Sequence, residues 1–375
     1  MHTTLTAHVG SDVLIKPSPV AMVWQGVGLP HQAMAVPGVT LGAGDVLVEV
    51  ELATVCGSDV HTVLGHRNAT TPLVFGHEQV GRVVVVGGPV TAVDGTVLVA
   101  GMRVVWSVIV SCGSCDRCVA GLEQKCRRLA KYGHDRVHRG WELSGGFATH
   151  VEVLEGTPIV IVGETPPAEV FAPASCATAT AIAALDAAVE STARPLAGQA
   201  VFVTGAGMLG LTVAAIAADA GARVVVCDPD PGRRALSLQF GAIAAVDSAD
   251  AISAAKLAAE VDGFPIAIEM SGAGSAVEAA IGSLGVGGAA ILVGSVFPGV
   301  PLTIDAEQIV RNLLQVRGVH NYRAEHLSRA VDFLTGAWRR HPFAELVGAT
   351  FPLADVDAAL DLAASGAHPR VALRP

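Results

Sequence analysis

From about residue 166 to about residue 320, short apolar runs alternate with alanine-rich segments of helical character. The runs are a few residues long and rich in β-branched side chains, as expected of strands buried on both faces of a parallel sheet. The predicted strands are 201–203, 224–226, 266–268 and 290–293, and the predicted helices are 209–220 and one that begins at 235. This alternation indicates an α/β fold with a doubly wound parallel sheet.

The residues on either side of this region have a different character. Residues 1–165 are rich in Val, Gly and Thr, and the runs at 45–51, 81–87 and 102–109 predict strands. After about residue 325 the chain returns to mixed character, with an amphipathic segment at 326–334. We therefore predict a mostly-β domain made of residues 1–165 together with 325–375, and an α/β domain of residues 166–324.

Composition argues against several classes of protein. Of the 375 residues 51% are hydrophobic and 15% are charged, so a large core is expected and disorder is not. The net charge of -10, with no long basic run, argues against nucleic acid as a partner. Two charge-free stretches, 195–218 and 279–304, are long enough to span a membrane, but their glycines and prolines fit a buried α/β core better. We expect no membrane segment, no signal peptide and a cytoplasmic location.

The first predicted strand of the α/β domain runs into a glycine-rich loop, and a helix follows the loop. This context fits the G-x-G-x-x-G fingerprint, whose glycines permit a tight turn, close approach of a pyrophosphate and close packing of helix on strand. Asp228, at the end of the next strand, would bind the ribose hydroxyls and repel a 2′-phosphate, which favours NAD. The predicted cofactor-binding residues of this region are Gly205, Gly207, Met208, Leu209, Gly210, Asp228 and Arg233.

Two alternatives remain open for this loop. Arg233 and Arg234 follow Asp228 closely and leave NADP possible as the cofactor. A glycine turn in an α/β fold that binds no cofactor would show the same pattern.

Four of the seven cysteines lie within fifteen residues, in the pattern Cys112-x2-Cys115-x2-Cys118-x7-Cys126. Crowded cysteines in a long chain expected in the cytoplasm favour a metal over disulfides. Four thiolates close a tetrahedral shell around zinc and leave no open position, which predicts a structural metal. An iron–sulfur cluster is the competitor, but the last spacing is too long for the ferredoxin pattern and no proline follows the fourth cysteine.

A second group of metal ligands is more dispersed along the chain. The segment Cys56-Gly-Ser58-Asp59-Val-His61 is followed by Gly76-His77-Glu78. A catalytic zinc needs three protein ligands and one open position, and Cys56 and His77 are the first two candidates. Cys176 is the candidate for the third ligand, although a lone cysteine in apolar surroundings is more often part of the core.

These residues together resemble the zinc-containing medium-chain alcohol dehydrogenases, and the resemblance covers essentially the whole chain. The run Gly76-His77-Glu78-x2-Gly81-x5-Gly87-x2-Val90 fits the zinc signature of that family at each fixed position. The Cys56 segment, the four cysteines and the glycine loop follow in the family's order. The resemblance implies a GroES-like β domain, a Rossmann domain, NAD, and two zinc ions per chain in a homodimer or homotetramer.

The resemblance also implies roles for single residues. Cys56, His77 and Cys176 would hold the catalytic zinc, with Asp59 and Glu78 near the metal. Ser58 would accept the proton of the substrate and pass it, through the cofactor ribose and His61, to solvent. Arg370 would lie near the pyrophosphate of the cofactor. These roles predict reversible hydride transfer between an alcohol, or its carbonyl partner, and NAD.

The substrate is less constrained. The segments 131–134, 143–147 and 175–180 resemble a branch of the family associated with phosphonate catabolism, and basic side chains such as Arg67 and Lys131 would then face an anionic group. A solvated basic surface is the alternative reading of these charges. Polyol dehydrogenases often carry Glu at the third ligand position, so Cys176 argues mildly against them. A zinc-free quinone or enone reductase and a non-catalytic dinucleotide-binding protein are the alternative classes.

Overall fold

The computed structural model describes residues 12–247, 251–299 and 301–375. These residues form two compact units. The first contains the described residues up to Cys176 together with Arg323–Trp338 and Phe343–Pro375, and the second contains Ala177–Tyr322 and Arg339–Pro342. The expected lack of a signal peptide concerns the N-terminus, whose residues 1–11 lie outside the described part.

The first unit begins with short strands and few helices. Its strands are β1 (Asp12–Leu14), β2 (Val20–Trp24), β3 (Gln32–Ala35), β4 (Gly38–Thr40), β5 (Val46–Thr54), β6 (Leu73–Val74), β7 (Gln79–Val86), β8 (Arg103–Trp106), β9 (Ile109–Val110), β10 (Ala130–Lys131), β11 (His150–Val153) and β12 (Ile159–Ile161). Its helices in this part are α1 (Gly57–Val63), α2 (Asp116–Val119) and α3 (Ala168–Phe171), with 3-10 turns at Glu123–Lys125 and Ala172–Ser175.

The second unit alternates helix and strand. Its elements are α4 (Ala177–Thr192), β13 (Ala200–Thr204), α5 (Met208–Asp219), β14 (Arg223–Cys227), α6 (Pro231–Gln239), β15 (Ala244–Val246), α7 (Ala251–Ala259), β16 (Phe264–Glu269), α8 (Gly274–Gly282), β17 (Leu284–Leu292), α9 (Ala306–Arg311) and β18 (Gln315–Gly318). The chain then returns to the first unit with α10 (Ala324–Ala337), β19 (Val347–Pro352), α11 (Val356–Ala364) and β20 (Arg370–Arg374).

The main sheet of the first unit has seven strands in the order β12-β8-β7-β5-β20-β19, and β11 also pairs with β5. All of its pairings are antiparallel except that of β19 with β20. The core on this sheet includes Phe75, Trp106 and Phe147, each fully buried. The last strand, β20, thus lies beside β5, which runs directly into the segment that carries Cys56.

The second unit contains a six-stranded parallel sheet in the order β15-β14-β13-β16-β17-β18. Numbered from the first strand of the unit, this order is 3-2-1-4-5-6, that of a Rossmann fold. Phe202 and Phe264 stack in its core with ring centroids 5.1 Å apart. The predicted fold class, a mostly-β domain together with a doubly wound parallel sheet, is confirmed.

The predicted domain borders followed residues 165 and 324, whereas the two compact units divide after Cys176 and Tyr322. The first border differs because α3 and the following 3-10 turn pack on β5 and β7 of the first unit. Among the described residues, no single helix is both long and apolar enough to cross a membrane. One bent pair, Ala168–Ser175 with Ala177–Thr192, passes that test on length and composition.

Candidate metal centres and dinucleotide loop

Local backbone geometry fixes the first two candidate ligands. Cys56 directly precedes α1, and its backbone N–H donates to the Asp59 carboxylate at 2.9 Å, which closes the first turn of the helix. His77 follows Gly76, whose φ of +97° lies in the left-handed region. A Cβ atom on Gly76 would stand 2.6 Å from the backbone nitrogen of Phe147, so only glycine fits before this histidine.

The third candidate, Cys176, is brought to the other two by the turn that follows α3. The Ser175 hydroxyl donates to the carbonyl oxygen of His77 at 2.9 Å. The Sγ atoms of Cys56 and Cys176 are 3.9 Å apart, close to the separation of about 3.8 Å that two thiolates have around a tetrahedral zinc. One ligand atom each from Cys56, His77, Glu78 and Cys176 lie within 4.8 Å of one another, so this donor set fits a zinc ion.

The buried polar groups around His77 support the same assignment. Its Nδ1 atom lies 3.4 Å from Asp59 Oδ1, and its Nε2 atom lies 3.4 Å from the Ser58 hydroxyl. Burial opposes the charged imidazole, but Asp59 and Cys56 raise the pKa of His77 to about 10. A hydrogen bond from Cys176 holds the pKa of Cys56 well below its ordinary value, against the effect of burial. A carboxylate behind a histidine and a thiolate beside it are typical surroundings of bound zinc.

Glu78 forms a buried ion pair with Arg370 instead of standing free beside the metal ligands. Arg370 Nε and Nη2 donate to the two carboxylate oxygens, each at 2.8 Å, and the Thr54 hydroxyl donates at 2.7 Å. Burial raises the pKa of Glu78 to about 7, although Arg370 lowers it. Both carboxylate oxygens of Glu78 are thus engaged by Arg370, although Glu78 also lies within the group of potential metal ligands.

Arg370 was assigned from the sequence to the cofactor pyrophosphate, and that contact stays a prediction. The structure places its guanidinium against Glu78, with Nη2 3.9 Å from Cys56 Sγ. No local pattern in the sequence predicts this pair, because its members are 292 positions apart. Ser58 touches His77, whereas the Nδ1 atom of His61 faces that of His66 at 3.4 Å. The proton path from Ser58 to His61 therefore also stays a prediction.

The four-cysteine lobe brings its sulfur atoms together as its spacing predicts. The Sγ separations are 3.4 Å for Cys112–Cys126, 3.5 Å for Cys115–Cys118 and 3.9 Å for Cys115–Cys126. Hydrogen bonds from the backbone and hydroxyl of Ser114 lower the pKa of Cys112 to about 5. These separations match four thiolates around one tetrahedral zinc ion, so the lobe fits a closed metal site.

Basic side chains lie near the Cys56–His77–Cys176 set. The ring of His134 packs on that of His77, with centroids 4.6 Å apart. Burial and the charge of Arg67 lower the pKa of Lys131 to about 8, while Cys176 and Cys56 oppose that effect. Lys131 is therefore a partly buried cation within electrostatic reach of two candidate metal ligands.

The dinucleotide loop connects β13 to α5. Gly205 has a φ of +96°, and a Cβ atom on Gly210 would stand 1.8 Å from the Gly205 carbonyl oxygen. Among the described residues other than its chain neighbours, no atom lies within 4 Å of the position that a Cβ atom would take on Gly207, and α5 begins directly after it with Met208 and Leu209. This open space beside a helix N-terminus suits an anionic group.

Asp228 follows β14 and is buried beside the loop. Its carboxylate accepts hydrogen bonds from the backbone N–H groups of Ala206 at 2.7 Å and Asp230 at 2.9 Å. The backbone N–H of Arg233 donates to Asp230, which caps α6. The loop, Asp228 and Arg233 are thus close together, although their contact with a cofactor stays a prediction.

Glu269 is a further residue of this region that sequence reasoning missed. It ends β16, is fully buried, and accepts hydrogen bonds from the backbone N–H groups of Ser271 and Gly272, both at 2.6 Å. Ser271 lies 2.9 Å from the Cβ position of Gly205. In the sequence, Glu269 could be noticed only as an acidic residue at the end of a buried apolar run. Its contacts with the segment that faces the glycine loop become visible only in the structure.

Comparison with known proteins places this fold and these sites in one family. Residues 42–162 match the alcohol dehydrogenase GroES-like domain, and residues 209–336 match the zinc-binding dehydrogenase domain. An L-threonine 3-dehydrogenase of Streptomyces coelicolor is 33% identical over 294 residues, 76% of this chain and 79% of the relative. One from Anaeromyxobacter dehalogenans is 34% identical over 305 residues, 79% of this chain and 81% of the relative.

Solved structures agree. An alcohol dehydrogenase from Thermotoga maritima has a TM-score of 0.89 at 28% identity and covers 96% of this chain and 99% of its own. A zinc-binding dehydrogenase from Sinorhizobium meliloti, solved bound to NADP, has a TM-score of 0.83 at 25% identity, with coverages of 96% and 100%. The chain belongs to the zinc-dependent medium-chain alcohol dehydrogenase family. It is an enzyme, an alcohol-type oxidoreductase, as the sequence predicts.

Proposed function

We propose that the enzyme transfers hydride reversibly between an anionic hydroxy compound and NAD, with one catalytic and one structural zinc ion per chain. The observation that carries the proposal is the convergence of Cys56, His77 and Cys176 at one buried point, with Lys131 nearby. When bound, zinc supplies a Lewis acid for the substrate hydroxyl, and the dinucleotide accepts the hydride.

The side chains around this point have separate roles in binding the metal and in moving the proton. Cys56, His77 and Cys176 hold the metal, and Asp59 fixes the His77 ring through Nδ1, so that Nε2 is the ligand atom. Ser58, whose hydroxyl lies 3.4 Å from His77 Nε2, accepts the proton of the substrate hydroxyl.

His61 receives that proton and releases it to solvent. It lies on the last turn of α1 and is partly exposed. Burial and the neighbouring His66 lower its pKa, which keeps the imidazole neutral and able to accept a proton near neutral pH.

An anionic substrate is supported by the charges on the first unit. Burial and the charge of Arg67 lower the pKa of Lys131, and Lys131 in turn opposes the rise that burial causes in the pKa of Asp135, so positive charge gathers here beside the carboxylate of Asp135. An anionic substrate would balance these charges. The relatives named L-threonine 3-dehydrogenase act, by that name, on a hydroxy compound whose carboxylate is balanced by an ammonium group, so they support a charged rather than a net anionic substrate. A phosphonate is the narrower candidate suggested by the segments 131–134 and 143–147.

NAD is proposed over NADP because of Asp228. A buried carboxylate after β14 would repel a 2′-phosphate. The neighbour from Sinorhizobium meliloti was solved with NADP, so both cofactors belong in the assay. A homodimer or homotetramer in the cytoplasm remains the expectation, and light scattering of the purified enzyme tests the oligomeric state.

A substrate panel tests the proposal. Hydroxyethylphosphonate, L-threonine and a neutral alcohol of similar size are each offered with NAD and with NADP, and reduced nicotinamide is followed by absorbance. The neutral diester of the phosphonate is the matched control. We expect the acid to be turned over with a KM well below that of its diester. Turnover of neutral alcohols without turnover of any anionic hydroxy compound would refute the anionic substrate class.

Lys131→Met tests the basis of this preference. Its KM should rise for the anionic substrate and stay unchanged for a neutral alcohol. In the unsubstituted enzyme Lys131 is charged below its pKa of about 8, so the KM for the anion should rise as the pH passes through that value. A KM that is equally pH-dependent for neutral alcohols would contradict the role of Lys131.

Cys56→Ser tests the catalytic metal. The variant should lose turnover and one zinc ion per chain, yet keep its fold and its affinity for NAD, because Cys56 lies in the first unit and the glycine loop in the second. Unchanged turnover would overturn the ligand assignment. A single zinc ion per chain in the unsubstituted enzyme would remove one of the two proposed metals.

A further inference from the structure

The end of α1 brings two histidine rings together. The backbone N–H of Gly65 donates to the carbonyl oxygen of Thr62 at 3.0 Å, and that of His66 donates to the carbonyl oxygen of His61 at 2.8 Å. Gly65 has a φ of +76°. These two bonds define a Schellman motif at the end of the helix. In this motif the side chain two positions beyond the helix cap, here His66, packs on that of the third residue from the helix end, here His61. An apolar pair usually occupies these positions, whereas here both are histidines.

The separation of the two rings is that of two ligands of one metal ion. The Nδ1 atoms of His61 and His66 are 3.4 Å apart, and the ring centroids are 5.7 Å apart with the planes tilted by 47°. Two nitrogen atoms each about 2.05 Å from a tetrahedral zinc lie about 3.4 Å from each other. Without a metal ion, the same contact is a long hydrogen bond between the two rings.

We propose that His61 and His66 form a third metal site, which takes a borderline divalent cation such as Zn²⁺ through their two Nδ1 atoms. Imidazole is a preferred ligand of such ions, and water would fill the remaining positions because His66 is exposed. Arg67 adds a positive charge nearby and makes this site weaker than the two thiolate sites. The site therefore fills only when the metal is in excess.

Occupancy of this site has a consequence that rests on the proposed function. An imidazole nitrogen bound to a metal ion cannot accept a proton, so His61 would no longer carry the substrate proton to solvent. Excess zinc would then inhibit the enzyme at a place distinct from the catalytic metal.

Calorimetry tests the site without reference to turnover. Zinc-replete enzyme is freed of excess metal and titrated with Zn²⁺ in buffer that holds no chelator. We expect one further ion per chain in the unsubstituted enzyme and none in His66→Gln. The turn should survive this substitution, because the backbone N–H of His66 makes the turn bond. The control is His138→Gln, which removes an exposed histidine that contacts Trp141 and should keep the third ion.

The possible results distinguish the metal site itself from the proposed role of His61 in proton release. Equal binding by His66→Gln, or no third ion in the unsubstituted enzyme, overturns the site. Loss of the third ion in both His66→Gln and His61→Gln, with two zinc ions retained by elemental analysis, supports it. Binding without inhibition also supports the site and counts against the role of His61 in proton release.

Discussion

Replacing Arg370 by glutamine leaves the Glu78 carboxylate buried without its counter-charge. Glu78 is fully buried, and Arg370 donates to both of its oxygens at 2.8 Å. Removing one member of a buried ion pair costs about 3–5 kcal/mol. With a urea m-value of about 3 kcal/mol/M for a unit of this size, the midpoint of unfolding should drop by about 1–1.7 M.

The assay can follow the first unit alone. All four tryptophans, Trp24, Trp106, Trp141 and Trp338, belong to that unit, so tryptophan fluorescence during urea unfolding of the zinc-loaded enzyme reports on it. The two-unit architecture therefore does not mix two transitions in one signal.

Arg82→Gln is the matched control. Arg82 makes the same two-bond contact with Glu164, but both side chains are exposed, so solvent screens the pair and the midpoint should move little. The double variant Glu78→Gln with Arg370→Gln removes both charges and should recover part of the loss. Equal midpoint shifts for Arg370→Gln and Arg82→Gln would refute the argument from burial.

Four further substitutions give distinct results. Burial lowers the pKa of His150 to about 4, so the stability of the first unit should fall as the pH drops from 6.5 towards 4. The substitution His150→Gln should reduce the loss of stability between pH 7 and pH 5 by about 2 kcal/mol. An unchanged pH dependence of unfolding, followed by tryptophan fluorescence, would contradict this. The substitution Gly210→Ala should lower both the affinity for NAD and the melting temperature measured by circular dichroism, because the new Cβ atom would collide with the backbone. The substitution Gly207→Ala should lower the affinity for NAD alone. Equal melting temperatures for the two variants would count against this steric explanation. Cys118→Ser should remove one zinc ion per chain and lower the stability of the first unit, and two ions by elemental analysis would rule out the closed four-cysteine site.

Sites made of neighbouring residues were predictable from the sequence. The four cysteines of the lobe lie within fifteen positions, so their spacing alone limits the geometry they can form. The glycine loop could be predicted equally well, because strand, loop and helix follow one another in the sequence. In the structure a Cβ atom on Gly205 or Gly210 would meet neighbouring atoms. The alternation of strand and helix also predicted the parallel sheet.

Contacts between distant residues were not accessible in the same way. The proximity of Cys176 to Cys56, 120 positions away, rested on family resemblance. The pairing of Glu78 with Arg370 depends on β20 lying beside β5, and no local pattern encodes that register. The histidine pair at the end of α1 is an intermediate case, because Gly65 signals a helix end but does not show which rings meet there.

The position of β20 also sets the order in which the enzyme becomes complete during synthesis. The four-cysteine lobe can capture its metal once residue 126 has emerged, since its ligands need few other parts of the chain. The three proposed ligands of the catalytic metal are present once residue 176 has emerged, but Glu78 stays without its partner Arg370 until β20 pairs with β5. A chain that lacks this strand would lack the counter-charge of Glu78, which lies next to the candidate metal ligands. The ion pair at the active centre therefore forms only after both β5 and β20 have been synthesised, although the two strands lie more than 300 positions apart in the chain.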